Sequence, residues 1–317
     1  MSNIQFVCPP NYATGGTESI FSCVDKLLKS GQRAEIVLLE SLRSPNEVWG
    51  EVGVPERFRH YEYVLAPSLD KKAKCIVVPE GELRNLKFVK DYSVWLWWLS
   101  WDNAFENVKF RKRIDLTLKS YVKNKQIISE NICYPQRHLF QSAYSRTMVS
   151  RLGLSGSMLS DYVQVLENFG DTTNQRVGIA YNARRGESDA ERVLLDVRRD
   201  IPVYALKNMS KEAVHNVLTS TVLCLDLGFF PGRDKLVREA ALLGNVVVTS
   251  KIGSAGYYED FPLDSLYKFS IKDGKQNSSN LCDIMSNANV HYRQQASFRY
   301  RLQCDEDALI AQISSIF

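Results

Sequence analysis

The chain has 317 residues, 44% of them hydrophobic and 24% charged, which is enough apolar material for two buried cores and excludes a largely disordered protein. Its net charge of +4 is too small to argue for nucleic-acid binding. No apolar run approaches the ~18 residues that a membrane-spanning helix needs.

The chain starts MSNIQFVCPP, with no basic stretch and no long apolar core, so it reads as a first strand over Ile4–Cys8 rather than a signal peptide. Pro9 and Pro10 end that strand. Gly15–Gly16 then leads into a helix with Thr17 as the expected N-cap, and Ile20, Phe21, Val24, Leu27 and Leu28 form its apolar face. Gly31 closes the helix, and Ala34–Leu39 is the next strand. The glycine pair fits close approach of a sugar or phosphate to the backbone, and it equally fits a tight turn. Further strands are predicted at Tyr61–Leu65, Lys74–Val78 and Ser93–Leu99. The last runs into VWLWWLSWDN, which holds four of the five tryptophans. Alternation puts Trp95 and Trp97 on one face and Leu96 and Trp98 on the other, as core packing requires. Ser100, Asp102 and Asn103 follow the strand, where polar side chains can meet a ligand.

Asn107–Lys125 carries seven Lys and Arg against one acid, Asp115, with apolar residues interleaved. It reads as a solvated helix face or as a basic surface for anionic lipid. Short strands follow at Gln126–Ser129 and Arg137–Gln141, and Ser142 caps a helix to about Leu152. The GLSGS run from Gly153 and the polar stretch Asn168–Gln175 mark a linker.

Beyond it, Arg176–Tyr181 is a buried strand that opens onto Asn182–Ala183–Arg184–Arg185–Gly186 before a helix over Asp189–Arg198. Two arginines and a glycine between strand and helix suit an anion; two exposed arginines on a turn are the plainer alternative. A strand at Val203–Leu206 and a helix at Lys211–Leu218 precede the most informative stretch. There a buried strand, Thr221–Leu227, gives way to a Gly/Pro loop, Gly228–Gly232. A helix over Asp234–Leu243 ends at Gly244, a strand spans Asn245–Ser250, and the loop Gly253–Ser254–Ala255–Gly256 follows. This is one half of a doubly wound sheet, whose ligands bind at the carboxyl ends of the strands. Arg233 and Lys235 lie at the helix start and suit a diphosphate. A strand at Tyr267–Ser270 and helices to Phe317 complete the chain.

The seven cysteines show no C-x-x-C spacing and several sit in apolar runs. They read as reduced core residues of a cytosolic protein. Four histidines without helix spacing make a zinc site a poor reading. An Asp-x-Asp pattern, Asp305–Glu306–Asp307, precedes a helical run, where acids favour a helix start, and is not read as a metal site.

The Gly15–Gly16 first loop, the Asn182–Arg184–Arg185–Gly186 loop, the Arg238–Glu239–Ala240–Ala241 helix segment, the Gly244 cap and the Val246–Val248 strand resemble the GT-B glycosyltransferases along most of the chain. A finer resemblance is to glycosyltransferase-like proteins of bacterial capsule and O-antigen clusters. It is carried by Trp97–Trp98–Leu99–Ser100, Asp102–Asn103, His138–Leu139, Gln141–Ser142, Leu159–Ser160–Asp161–Tyr162, Pro231–Gly232, Asp234, Gly253–Ser254–Ala255 and Tyr267–Lys268–Phe269. The sequence departs from the Glu-x(7)-Glu pattern of retaining members at Pro231, where the first glutamate would fall.

The resemblance implies an α/β fold of two Rossmann-like domains facing a cleft, with C-terminal helices: 1–155 for the acceptor and 156–317 for the donor. It implies transfer of a sugar from a nucleotide sugar to a glycan or lipid-linked glycan of a bacterial surface polysaccharide. No metal or other cofactor is implied. Gly15, Gly16, Asn182, Arg184, Arg185, Arg233 and Lys235 would meet the donor. Glu239 would bind its ribose, and Gly253, Ser254 and Ala255 would lie near its sugar and diphosphate. Asp102, His138 and Glu18 are the candidate bases or nucleophiles, with Asp102 first because it follows a buried strand. The implied location is cytoplasmic, with peripheral contact at the inner membrane as the lipid reading of Asn107–Lys125. A nucleotide-sugar epimerase on the same scaffold and a non-catalytic partner subunit remain alternatives.

Overall fold

The computed structural model describes residues 3–105, 135–164, 176–195, 201–270 and 272–317. The basic stretch Asn107–Lys125, the short strand read at Gln126–Ser129 and the polar linker Asn168–Gln175 lie outside them. The chain forms two compact units, Met1–Asp161 with Asp307–Phe317, and Tyr162–Glu306.

The first unit is a six-stranded parallel sheet in the order β2-β1-β3-β4-β5-β6. Its strands are β1 Ile4–Cys8, β2 Ala34–Leu38, β3 Cys75–Pro79, β4 Val94–Trp98, β5 Arg137–Phe140 and β6 Ser157–Met158. β1, β3 and β4 are buried along their whole length, which is why, apart from Gln5 in β1, they are apolar on both faces. The tryptophans of β4 are core. Trp97 packs edge-on against Phe6 and donates its indole N–H to the Leu159 carbonyl at 2.9 Å. Trp95 stacks on Phe317 with ring centres 5.3 Å apart.

Helix α1, Gly15–Lys29, starts earlier than the sequence reading has it. Thr14, not Thr17, is the N-cap, and Thr17 completes a reciprocal capping box with it. Two reciprocal hydrogen bonds outweigh the poor helix propensity of the intervening glycines, so the pair forms the first helical turn and not a tight turn. The strand expected at Tyr61–Leu65 is also corrected. Only Leu65 bridges to Ile36, because the Tyr61 and Glu62 N–H groups are spent on the Phe58 carbonyl and the Asp25 carboxylate. Ser142 caps α2, Ala143–Ser150, as expected.

The second unit is a five-stranded parallel sheet in the order β11-β10-β9-β7-β8. Its strands are β7 Ile179–Asn182, β8 Val203–Leu206, β9 Leu223–Asp226, β10 Val246–Ser250 and β11 Lys268–Phe269. Its helices are α3 Glu187–Leu194, α4 Lys211–Ser220, α5 Lys235–Leu242, α6 Gly274–Ser286, α7 Ala288–Gln294 and α8 Ala296–Gln303. Helix α9, Asp305–Ile316, follows. In each sheet the strand order reverses beside the first strand, between β1 and β3 and between β7 and β9. These are the positions where open parallel sheets bind ligands, outside the carboxyl ends of the strands. The described cysteines are free thiols, and Cys8, Cys23, Cys75 and Cys224 are buried. No helix of the described residues is long and apolar enough to cross a membrane.

Candidate active site

In the second unit the reversal point is built on Asp226, the last residue of β9. Its carboxylate is fully buried and accepts hydrogen bonds from Asn182 Nδ2 at 2.7 Å, Arg185 Nη2 at 2.7 Å and the Gly228 N–H at 3.1 Å. Burial pushes the Asp226 carboxyl up from the ordinary carboxylate range, the Arg185 cation pulls it back, and the nearby Asp234 charge adds to the rise. Arg185 reaches further. Its Nη2 pairs with Asp234 at 3.0 Å, its Nη1 donates to the Phe229 carbonyl, and its guanidinium lies 4.3 Å over the Phe230 ring. Burial works against the Arg185 cation, but Asp234 and Asp226 together hold its pKa above the ordinary value. Asp234 also caps α5 through the Leu236 N–H.

Three loops at this edge are pinned to one another by glycine. Gly186, which caps α3 at φ +68°, lies so close to the next loop that a Cβ there would fall 2.5 Å from Gly228 N. Gly253, at φ +69°, would put a Cβ 2.1 Å from the Phe230 carbonyl oxygen. Beside this tightly packed seam Arg184 is exposed. Its own N–H closes onto Asn182 Oδ1 at 3.1 Å. Among the described residues its guanidinium has no ion-pair partner, whereas that of Arg185 has two.

The remaining candidates of this unit divide by burial. Ser254 and Ala255 are buried, and Ser254 Oγ donates to Asp260 at 2.8 Å. Glu239 sits one turn into α5, 3.8 Å from Lys211 Nζ, and Lys235 opens the same helix. Arg233 is buried and bonds Asp305 at 2.7 Å. Asp305 also lies 3.6 Å from the fully buried Arg238. The first acid of the Asp-x-Asp pattern is therefore more than a helix-start residue: it is the counter-ion of two arginines.

In the first unit Gly15, Gly16 and Glu18 lie in the first turn of α1, at the carboxyl end of β1. The Tyr61 hydroxyl donates to Glu18 Oε1 at 3.4 Å. Asp102 follows β4 at the same edge and accepts from the Tyr144 hydroxyl at 2.9 Å. A Cβ on Gly16 would touch Leu99 at 3.4 Å, so the starts of these two loops are neighbours. His138 is elsewhere. It is the second residue of β5, near the strand's amino end, buried, with Nδ1 accepting the Trp98 indole N–H at 3.2 Å. Burial lowers its pKa to about 4, so it is neutral near pH 7. The structure thus brings Glu18 and Asp102 to one edge and keeps His138 inside the sheet, bonded to Trp98, the last residue of β4.

Asp226, Asp234, Arg238 and Asp305 did not figure as site residues in the sequence. Asp226 left one trace, an acid closing the apolar run Leu223–Leu225. The others depend on contacts far apart in the chain. Among the described residues no cluster of three His, Cys, Asp or Glu could hold a metal ion.

No protein-family model matches the chain, and no curated protein is similar to it in sequence. Solved structures are similar throughout. Sucrose-phosphate synthase from Thermosynechococcus elongatus superposes with a TM-score of 0.67 at 11% identity, covering 100% of this chain and 98% of that one. The chain has the GT-B fold. HepE from Anabaena, solved with UDP and glucose, shows the same GT-B likeness, with a TM-score of 0.63, 8% identity and 99% of both chains covered. The lipopolysaccharide outer core galactosyltransferase WaaB has a TM-score of 0.62 at 11% identity, covering 99% and 98%. In the GT-B chain described here, the loop seam of the second sheet and the Glu18–Asp102 edge of the first are the two places where the strand order and the polar residues coincide.

Proposed function

We propose that the protein is a glycosyltransferase that moves a sugar from a nucleotide sugar to a glycan or lipid-linked glycan of a bacterial surface polysaccharide, in the cytoplasm and without a metal ion. The observation that carries this is the seam at the reversal point of the second sheet. Loops packed backbone to backbone at Gly186 and Gly253 hold the exposed Arg184 beside the start of α5, an arrangement that suits a diphosphate. The full-length likeness to HepE, solved with UDP and glucose, supports the same donor class.

In this reading Arg184 and Lys235 neutralise the leaving diphosphate, with Glu239 on the ribose. Arg185, Asn182 and Asp226 hold the loop that presents Arg184. Gly253, Ser254 and Ala255 shape the sugar end through their backbone, since the Ser254 hydroxyl is committed to Asp260. Arg233 acts through the loop that Asp305 fixes. Asp102, oriented by Tyr144, takes the acceptor proton. Glu18 is the second candidate for that base, and the N–H groups of Gly15 and Gly16 meet the donor. Metal independence is supported by the commitment of Asp305 to Arg233 and Arg238, which removes the first ligand of the only Asp-x-Asp pattern.

A thermal-shift panel of UDP, GDP, CMP and dTDP sugars tests the donor. Saturation to 100 times Kd adds about 2.7 kcal/mol, a shift on the order of 5–10 °C for a unit of this size. Turnover with defined glycan acceptors, with and without EDTA, tests the rest. Donor conversion without acceptor means epimerisation. Stabilisation without turnover on any acceptor means a binding subunit. Loss of turnover in EDTA removes the metal-free reading.

A further inference from the structure

We propose that Tyr12 and Trp49 form an aromatic platform on the first unit that holds a neutral sugar ring of the acceptor glycan; the proposal rests on the glycosyltransferase reading above. Of the five tryptophans, four are buried in the first unit's core, whereas Trp49 is 38% exposed. Tyr12 is 57% exposed and Val52 77%. All three are exposed apolar residues on two segments whose backbones meet at Gly53.

The backbone that carries them is fixed. Asn11, a non-glycine residue at φ +60°, donates its N–H to the Gly53 carbonyl at 2.8 Å. A Cβ on Gly53 would lie 2.9 Å from Trp49 Cβ and 3.1 Å from Pro10 Cβ. The segment bearing Trp49 therefore closes directly onto the loop bearing Tyr12. Trp49 is also tied down by its own N–H, which donates to the Leu38 carbonyl at 3.0 Å, and by the bridge between Val48 and Leu39. Asparagine tolerates the left-handed region, and with a glycine that has no room for a Cβ it fixes the paths of both segments. Asn11 and Gly53 hold the two segments that bear Tyr12 and Trp49 at the carboxyl ends of β1 and β2, beside the reversal point of the sheet and on the edge that carries Glu18 and Asp102.

The chemistry selects the occupant. An aromatic face is electron-rich and packs against the C–H face of a sugar ring, while the ring's hydroxyls stay in water. Rigid aromatic side chains lose little entropy on binding. Pro45–Val52 contains two acids, Glu47 and Glu51, and no base. That disfavours an anionic lipid surface, which attracts basic segments, and favours an uncharged glycan.

The test uses the labelled full chain on an array of neutral and acidic oligosaccharides, with Tyr12→Ala, Trp49→Ala and Trp49→Phe beside the wild type. The wild type is expected to bind a neutral oligosaccharide class. Each alanine variant should bind it 10-fold or more weakly, with Trp49→Phe recovering part of the loss. Equal glycan binding by wild type and both alanine variants overturns the platform. So does a wild type that binds no glycan, or one whose Trp49→Ala variant loses affinity for phosphatidylglycerol vesicles but not for glycans. The nucleotide-sugar thermal shift is measured on the same samples. Its absence in the wild type refutes the donor reading, while the array result still decides the platform.

Discussion

Replacing Asp226 by asparagine tests whether the loop seam depends on one buried charge. Every group that meets the Asp226 carboxylate is a donor: Asn182 Nδ2, the Arg185 guanidinium and the Gly228 N–H. An amide of the same shape brings its own N–H₂ against one of these donors. Asn182 cannot turn over to accommodate it without losing the bond that its Oδ1 accepts from the Arg184 N–H. Arg185 keeps Asp234 at 3.0 Å but loses the shorter of its two ion pairs. Breaking a buried pair on one side costs about 3–5 kcal/mol, a large part of the roughly 5–15 kcal/mol that stabilises a domain. The expected fall in melting temperature is about 8–15 °C. All five tryptophans lie between residues 49 and 101, so tryptophan fluorescence follows the first unit while far-ultraviolet circular dichroism follows both. Asp226→Asn should lower the dichroism transition more than the fluorescence transition. In a double-mutant cycle, Asp226→Asn and Arg185→Gln should couple by more than about 1.5 kcal/mol. A variant within 1 kcal/mol of wild type, or additive single mutants, would refute the argument that Asp226 and Arg185 act as one buried pair.

Other outcomes follow from the same geometry. Arg184→Ala should weaken nucleotide-sugar binding by about 10-fold, more at low salt than at high, with stability unchanged within about 0.5 kcal/mol because the side chain is exposed; calorimetric titration at two salt concentrations measures it. Glu239→Ala should weaken donor binding in the same titration, through the ribose and with little dependence on salt. Asp102→Asn should lower turnover by about 10²–10⁴-fold while the donor thermal shift persists; equal loss of both would make Asp102 structural. His138 carries a pH signature. Its folded pKa, about 4, lies below the unfolded value of about 6.5, so between these the unfolded chain holds the extra proton and stability falls as pH falls. The loss approaches about 3 kcal/mol at the acid end. Urea unfolding followed by tryptophan fluorescence should show His138→Gln flatter than wild type across that window. If instead the variant keeps the wild-type pH profile of stability and loses turnover, His138 is a reacting group.

The sequence by itself determined the two parallel sheets, because strands buried on both faces need unbroken apolar runs such as Cys75–Val78 and Val246–Val248. It also located the loops at their carboxyl ends, because Gly186 and Gly253 punctuate helix and strand locally. Where two local signals competed it misread the detail. Gly15–Gly16 looked like a break until the Thr14–Thr17 box made it helical, and Tyr61–Leu65 had strand residues but spends its first N–H groups on Phe58 and Asp25. What each charged residue does was settled only by tertiary structure. Arg184 and Arg185 are adjacent and chemically identical, yet one meets solvent and the other two carboxylates, 41 and 49 positions onward, at Asp226 and Asp234. Arg233 looked like a phosphate ligand and is bound to Asp305, 72 positions away. Periodicity and capping act over a few residues and can be read along a line. The fate of a buried charge depends on which strands lie side by side, and strand order is not written at any one position in the chain.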